Sequence, residues 1–337
     1  MTKKVTIKDI ARELNTNYST VSRALNDSPK ISDATKQSVL KQAKLMGYQP
    51  NSFAQKLKKG YSNTIGLIVP RINRVFFSNV IHGVETIAKQ QGFNVIICQS
   101  NESVKDEEDN VKTLLSNNVA GIIMSISKET QNESSFQEIL TNKIPFVMFD
   151  RALNNLVSNQ VVNNNFKGAY EVTEHLIKQG YQKIIHFSGP LYINIYQDRL
   201  NGYKKALADY QIAFNPDFII ENTLTKDKGI AAVEELLKQK VDFDAIFASG
   251  DYSALGAILC LRQHHILVPE QVGVAGFANE PFTELLDITS VEQFSTEMGK
   301  SAASLLLEKV QRKEISDQYQ NIEILPQLII RKSTQKL

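Results

Sequence analysis

The chain has 337 residues, 42% of them hydrophobic, with 38 Lys+Arg against 36 Asp+Glu and a formal net charge of +2. That length predicts two or three domains and that apolar content a substantial core, which excludes a largely disordered chain. The charge is unevenly placed: residues 1–60 carry 12 Lys+Arg against 4 Asp+Glu, a net of +8, and the other 277 carry 26 against 32, a net of −6. A small basic module joined to a large acidic one points to a polyanion as partner of the basic end. No apolar run approaches the roughly 20 residues of a membrane-spanning helix, and the polar start Met-Thr-Lys-Lys lacks the apolar stretch of a signal peptide. A cytoplasmic protein without a membrane partner is expected. Cys98 and Cys260 lie in apolar stretches without zinc spacing and read as core fillers.

The first 50 residues show three short helical patterns. Thr6 caps the first, whose apolar positions Ile7, Ile10, Ala11 and Leu14 share one face, with Asp9 completing a capping box. The second has Val21, Ala24 and Leu25 as its inner side and ends near Asn26-Asp27-Ser28-Pro29. The third starts at the Ser32 cap and runs through Thr35, Val39, Ala43 and Leu45 to Gly47-Tyr48. Two short helices joined by a tight turn with a third packed across them describe a helix-turn-helix domain. The second helix turns Tyr18, Ser19, Ser22, Arg23 and Asn26 outward, donors and acceptors suited to base edges and phosphates. Polar helix faces are common, so an ordinary solvated face is the rival reading; the flanking helices and the +8 charge favour DNA.

From Asn63 onward, apolar strand-like runs alternate with amphipathic helices. One series comprises residues 64–70, 93–99, 120–126 and 145–149; a second comprises 183–189, 218–221, 245–250 and 272–277. The alternation predicts parallel sheets with helices on both faces, and the two series predict two α/β lobes. The expected division is a headpiece over 1–49, a linker over 50–61 and a two-lobed body over 62–337.

The runs Val5-Thr6-Ile7-Lys8-Asp9-Ile10-Ala11, Ser19-Thr20-Val21-Ser22-Arg23-Ala24-Leu25-Asn26 and Gly47-Tyr48-Gln49-Pro50-Asn51 resemble the N-terminal signature of the LacI/GalR family of bacterial transcription regulators. The resemblance continues over the whole chain. It implies a helix-turn-helix headpiece on two lobes similar to periplasmic sugar-binding proteins, and a homodimeric regulator, in most cases a repressor, on double-stranded operator DNA. It further implies base reading by Tyr18, Ser19 and Arg23, with Thr6, Ser22, Asn26 and Thr35 holding phosphates. The linker Pro50-Asn51-Ser52-Phe53-Ala54-Gln55-Lys56-Leu57-Lys58-Lys59-Gly60 is too short to be a stable helix alone, so it either orders against a partner or stays a flexible basic tether. In the resembling family it is a hinge helix in the minor groove. Asn51 is then placed among the DNA contacts, and Leu57 matches the leucine that wedges into a base step and kinks the duplex.

Open α/β sheets bind ligands beyond the carboxyl ends of their strands, so a cleft between the lobes is expected to draw on residues just after the strand runs. These are Arg71, Asn73, Phe76, Phe77, Ser100, Asn101, Asp150 and Arg151 in the first lobe. In the second they are Asn194, Arg199, Leu224, Asp251 and the turn Ala278-Asn279-Glu280. Aromatics with carboxylates, amides and arginine suit a sugar-like effector. Phe76 and Phe77 alone would read as core packing, and Arg199 as a solvated helix residue. The resemblance reverses the reading of Arg199, because Arg-x-x-Gly-Tyr matches the family segment whose arginine reaches the effector. Two departures stand out. The family commonly has asparagine where this chain has Gly250 and a polar residue, often aspartate, where it has Ala278, so the identity of the ligand does not transfer from a better-known member.

No phosphate loop, dinucleotide fingerprint or Gly-x-Ser-x-Gly elbow occurs, and the five histidines lack metal spacing, so neither enzyme nor cofactor is expected. The C-terminal residues 331–337 carry no heptad, which favours a dimer over a tail-assembled tetramer. The rival readings are a sugar-binding sensor or transport protein without DNA function and an α/β enzyme acting on a sugar or nucleotide.

Overall fold

The computed structural model describes residues 5–48, 62–153, 157–312 and 319–336. Two compact units divide between residues 61 and 62. The proposed contacts Asn51 and Leu57 lie outside the described residues.

The first unit holds α1 (Ile7–Glu13), α2 (Tyr18–Leu25) and α3 (Asp33–Leu45). The capping box forms as the sequence requires: the Asp9 N–H donates to Thr6 Oγ1 and the Thr6 N–H to Asp9 Oδ2 at 2.9 Å, which satisfies two end donors at once. Ser32 caps α3 by accepting from the Thr35 N–H, and Gly47 leaves it at φ +65. Ile10, Ala11, Val21, Ala24, Val39 and Ala43 bury into one small core. Leu45 does not join them. It is 72% exposed, because Val39, Ala43 and Met46 already fill the inner stripe of the helix.

The second unit contains two parallel sheets. β1 (Thr64–Val69), β2 (Asn94–Gln99), β3 (Ile122–Met124), β4 (Phe146–Phe149), β5 (Asn159–Asn163) and the late β11 (Asn321–Ile324) form the first lobe in the order β11-β5-β4-β3-β1-β2. β6 (Ile184–Phe187), β7 (Ile219–Ile220), β8 (Ala245–Ala248) and β9 (Gly273–Ala275) form the second in the order β7-β6-β8-β9. β10 (Ser290–Glu292) pairs antiparallel with β12 (Gln327–Ile329). All eight sequence-predicted strands are present, the one at 218–221 cut to two residues.

The lobes are not consecutive in the chain, which the two-series reading missed. β5 and β11 are short and half polar, and β11 returns from the far end to pair in parallel with β5. The helices are α4 (Val75–Gln90), α5 (Val104–Ser116), α6 (Gln137–Thr141), α7 (Asn165–Lys178), α8 (Asn194–Asp209), α9 (Lys226–Lys238), α10 (Asp251–Gln263), α11 (Pro281–Leu285) and α12 (Ser295–Arg312). The late α12 packs on α4 of the first lobe through facing glycines: a Cβ on Gly83 would lie 2.2 Å from Thr296 O, and one on Gly299 2.2 Å from Val80 O. Residues 331–336 are no free tail. Ser333 Oγ donates to Val274 O at 2.6 Å, and Thr334 Oγ1 lies 2.8 Å from His175 Nε2.

Candidate DNA interface and ligand cleft

On α2 the helical period separates two surfaces. Val21 and Ala24 are buried, whereas Tyr18 is 65% exposed, Arg23 and Asn26 are exposed, and Ser19 and Ser22 are half-buried beside them. Some of the expected phosphate contacts already have internal partners. Thr6 Oγ1 donates to Asp9 Oδ2 at 2.6 Å, and Asn26 Nδ2 donates to Ser22 O at the same distance. The Thr35 hydroxyl lies 2.9 Å from that of Ser32 at the start of α3, where end N–H groups and the helix dipole favour an anion.

In the second unit a cleft of about 340 Å³ opens where the carboxyl ends of both parallel sheets meet. That volume lies at the small end of ligand pockets, roughly 300–1,000 Å³. Phe76, Phe77, Asp150, Arg199, Leu224 and Asp251 all line it, as do Arg71, Arg151, Ala278 and Glu280.

The segment Arg199-Leu200-Asn201-Gly202-Tyr203 shows how sequence builds the floor. A Cβ on Gly202 would sit 2.2 Å from Phe166 O, so glycine lets α8 approach α7 closely. Tyr203 is buried and donates through its hydroxyl to Ile184 O at 2.7 Å, which ties α8 to β6. With the helix fixed on both sides, Arg199, one turn earlier, is 4% exposed. Its Nε donates to Asn165 Oδ1 at 2.9 Å and its Nη1 to Ser249 O at 2.8 Å, while the guanidinium carbon lies 3.7 Å from the centre of the Phe277 ring. Burial lowers its pKa to about 10, so it remains a cation at neutral pH.

Asp150 follows β4 at φ +58 and is 4% exposed. Burial pushes its carboxyl up to about 6, against the pull of the Arg151 and Arg199 charges. Arg151 turns to Glu102, whose Oε2 accepts from its Nη1 at 2.7 Å and from the Lys128 N–H at 2.9 Å. Glu102, on the loop after β2, thereby fastens the loops after β3 and β4 to its own. Phe77 meets Phe149 edge to face at 6.4 Å, so packing and cleft lining are the same role for that ring.

On the second-lobe wall, Asp251 begins α10 and both its oxygens are taken: Ser290 Oγ donates to Oδ1 at 2.6 Å and the Glu280 N–H to Oδ2 at 2.8 Å. A Cβ on Gly276 would come within 2.1 Å of Oδ1, so glycine there makes room for the carboxylate. Burial raises this carboxyl to about 7, opposed by those hydrogen bonds.

Five residues expected in the cleft do not line it. Asn279, at φ +51, turns away: its Nδ2 donates to Glu292 Oε2 at 2.8 Å and its Oδ1 accepts from Arg331 Nη2 at 2.9 Å. Ser100 is fully buried where β2 ends, its N–H spent on Val69 O. Asn194 lines a separate cavity with Ile126, Leu153 and Tyr192. Asn73 and Asn101 are not among the lining residues either. Conversely, the sequence reading passed over Tyr196, Phe277, Tyr252 and Glu102, all of which line the cleft. Phe277 ends an apolar run and is fully buried, as such a run implies; nothing local to it signals the arginine above it.

Comparison with known proteins gives one family over both units. The model of the bacterial regulatory proteins of the lacI family matches residues 6–51, and that of the periplasmic binding proteins and sugar-binding domain of the LacI family matches 62–332. The HTH-type transcriptional repressor PurR of Vibrio campbellii is 29% identical over 336 residues, 98% of this chain and 99% of that one. The ribose operon repressor of Haemophilus influenzae is 30% identical over 336 residues with the same coverage. Among solved structures, the transcriptional regulator CelR in complex with cellobiose has 26% identity and a TM-score of 0.74, covering 98% of this chain and all of that one. The lac repressor dimer bound to operator and an anti-inducer shares the fold at a TM-score of 0.85 and 24% identity, over 98% of this chain and 99% of its own. With a helix-turn-helix unit, a two-lobed α/β unit and a match to each, the chain belongs to the LacI family of bacterial regulatory proteins.

Proposed function

We propose that this regulator represses transcription as a cytoplasmic homodimer on a roughly palindromic operator, and that a neutral, sugar-like effector bound between the lobes controls its DNA affinity. The observation that carries the ligand class is the floor of the cleft. A buried carboxylate, Asp150, and a buried guanidinium, Arg199, stand beside the rings of Phe77 and Tyr196, with Phe277 wholly buried beneath the guanidinium. Aromatic faces pack against the apolar side of a sugar ring, and a hydroxyl donates to the carboxylate while accepting from the arginine. The relative named as a ribose operon repressor puts ribose first in the set to be tested, with nucleobases beside it.

The residues proposed for DNA are Thr6, Tyr18, Ser19, Ser22, Arg23, Asn26, Thr35, Asn51 and Leu57, and the division into headpiece (1–49), linker (50–61) and body (62–337) belongs to the same reading. The effector acts by linkage: it shifts DNA affinity only by its different affinity for two conformations, about 1–3 kcal/mol of coupling. The protein is not an enzyme, so a ligand is bound and released unchanged. A thermal-shift screen of sugars, sugar phosphates and nucleobases, followed by operator gel shifts with each stabilising compound, tests the whole reading. A sugar that stabilises the chain and changes the shift supports it. Turnover of that sugar, or no DNA retained under any condition, overturns it.

A further inference from the structure

Glu280 lines the cleft, is 6% exposed, and its Oε2 is buried without a hydrogen-bond partner. A carboxylate is an acceptor, and one oxygen left unpaired in a buried place calls for a donor from outside the chain. The backbone aims it there. Ala278 at φ +120 and Asn279 at φ +51 make a turn that sends the Asn279 side chain away from the cleft and Glu280 into it. The turn is pinned on both sides of Glu280: its N–H donates to Asp251 Oδ2 at 2.8 Å, and its carbonyl accepts from the Thr283 N–H at 2.8 Å and from Thr283 Oγ1 at 2.7 Å. Asp251, the other carboxylate of this wall, already accepts on both oxygens, and Ala278 offers no hydrogen-bonding side chain.

The opposite lobe supplies a charge. Arg74, just before α4, holds its guanidinium carbon 4.4 Å from the centre of the Tyr252 ring, and Tyr252 leans on Phe282 at 5.0 Å. Burial raises the Glu280 carboxyl while the Arg74 cation lowers it, so the arginine favours the ionised, accepting form. Resting on the reading of the cleft as a sugar site, we infer that Glu280 is a specificity-determining residue, accepting a hydrogen bond from one ring hydroxyl of the effector. A ligand with a phosphate, carboxylate or carbonyl at that point meets acceptor against acceptor and is rejected.

The test is calorimetric titration of the full-length chain with D-ribose and D-glucose and with the monodeoxy analogues of whichever binds. Native protein is expected to bind the parent sugar at least tenfold more tightly than one of those analogues. Glu280→Leu loses tenfold or more for the parent and shows no further loss for that same analogue; Glu280→Gln, which keeps an acceptor without the charge, falls between. The melting temperatures of the unliganded variants confirm folding, and if Glu280→Leu does not fold, an unchanged discrimination in Glu280→Gln overturns the inference. Parent affinity or discrimination unchanged in Glu280→Leu also overturns it. If Arg199→Ala abolishes sugar binding in the same series, the cleft reading survives that failure. If neither sugar binds native protein, the sugar reading fails and this inference fails with it.

Discussion

The outer face of α2 and the floor of the cleft both gather polar side chains, yet they differ in what those side chains cost. Tyr18 and Arg23 are exposed, so each keeps its water until a partner arrives. Asp150, Arg199 and Asp251 are buried, and the fold holds Arg199 through Asn165 and the Ser249 carbonyl and Asp251 through Ser290 and the Glu280 N–H. Function and stability are therefore separable on the outer face of α2 and coupled in the cleft, because removing a solvated group leaves nothing unpaired while removing a buried one does.

Four substitutions and conditions press on that contrast. The largest effect is expected for Arg199→Ala, which should weaken effector binding by about 3 kcal/mol, roughly a hundredfold, and also lower the melting temperature, since Asn165 and the Ser249 carbonyl lose their donor. Calorimetry and melting on one preparation check both; lost binding with native stability would break the coupling. Gly202→Ala comes next. Its Cβ meets Phe166 O, so overpacking of about 1–3 kcal/mol should show in denaturant unfolding, with weaker effector binding as Arg199 shifts. A native midpoint there would mean that α7 and α8 can part without cost.

Arg23→Ala supplies the opposite case. It should lose about 1–3 kcal/mol of specific operator binding while unfolding stays within about 0.5 kcal/mol of native. Competition gel shifts that show unchanged sequence preference would take Arg23 out of the reading set. The smallest effect is pH dependence. The folded Asp150 carboxyl stands near 6, above its ordinary value of 3.8, and it accepts from a hydroxyl best when ionised. Effector affinity should hold above about pH 7 and fall, by at most about tenfold per unit, as pH drops through 6. Asp150→Asn should flatten that slope. For stability the sign is reversed: a raised carboxyl favours folding most below its unfolded value and loses that contribution as pH climbs through 6.

The sequence alone determined whatever depends on local period and on short-range chemistry. The three headpiece helices, the Thr6 box, the Ser32 cap and the outward face of α2 follow from residues within four places of each other, so a linear reading finds them. The eight core strands were legible for the same reason, as continuous apolar runs. Only the tertiary structure decided the rest. Half-polar β5 and β11 carry no such run and become strands by pairing across some 160 residues of chain. Asn279 and Glu280 are neighbours of equal promise in the sequence, and two positive φ angles send one to Arg331 and the other to the cleft. Phe277 is core by pattern and by burial, and only the structure lays Arg199, from a helix that Gly202 and Tyr203 hold in place, across its ring. Each outcome turns on where a backbone far away in sequence comes to rest, and that is set by packing, which no local pattern encodes.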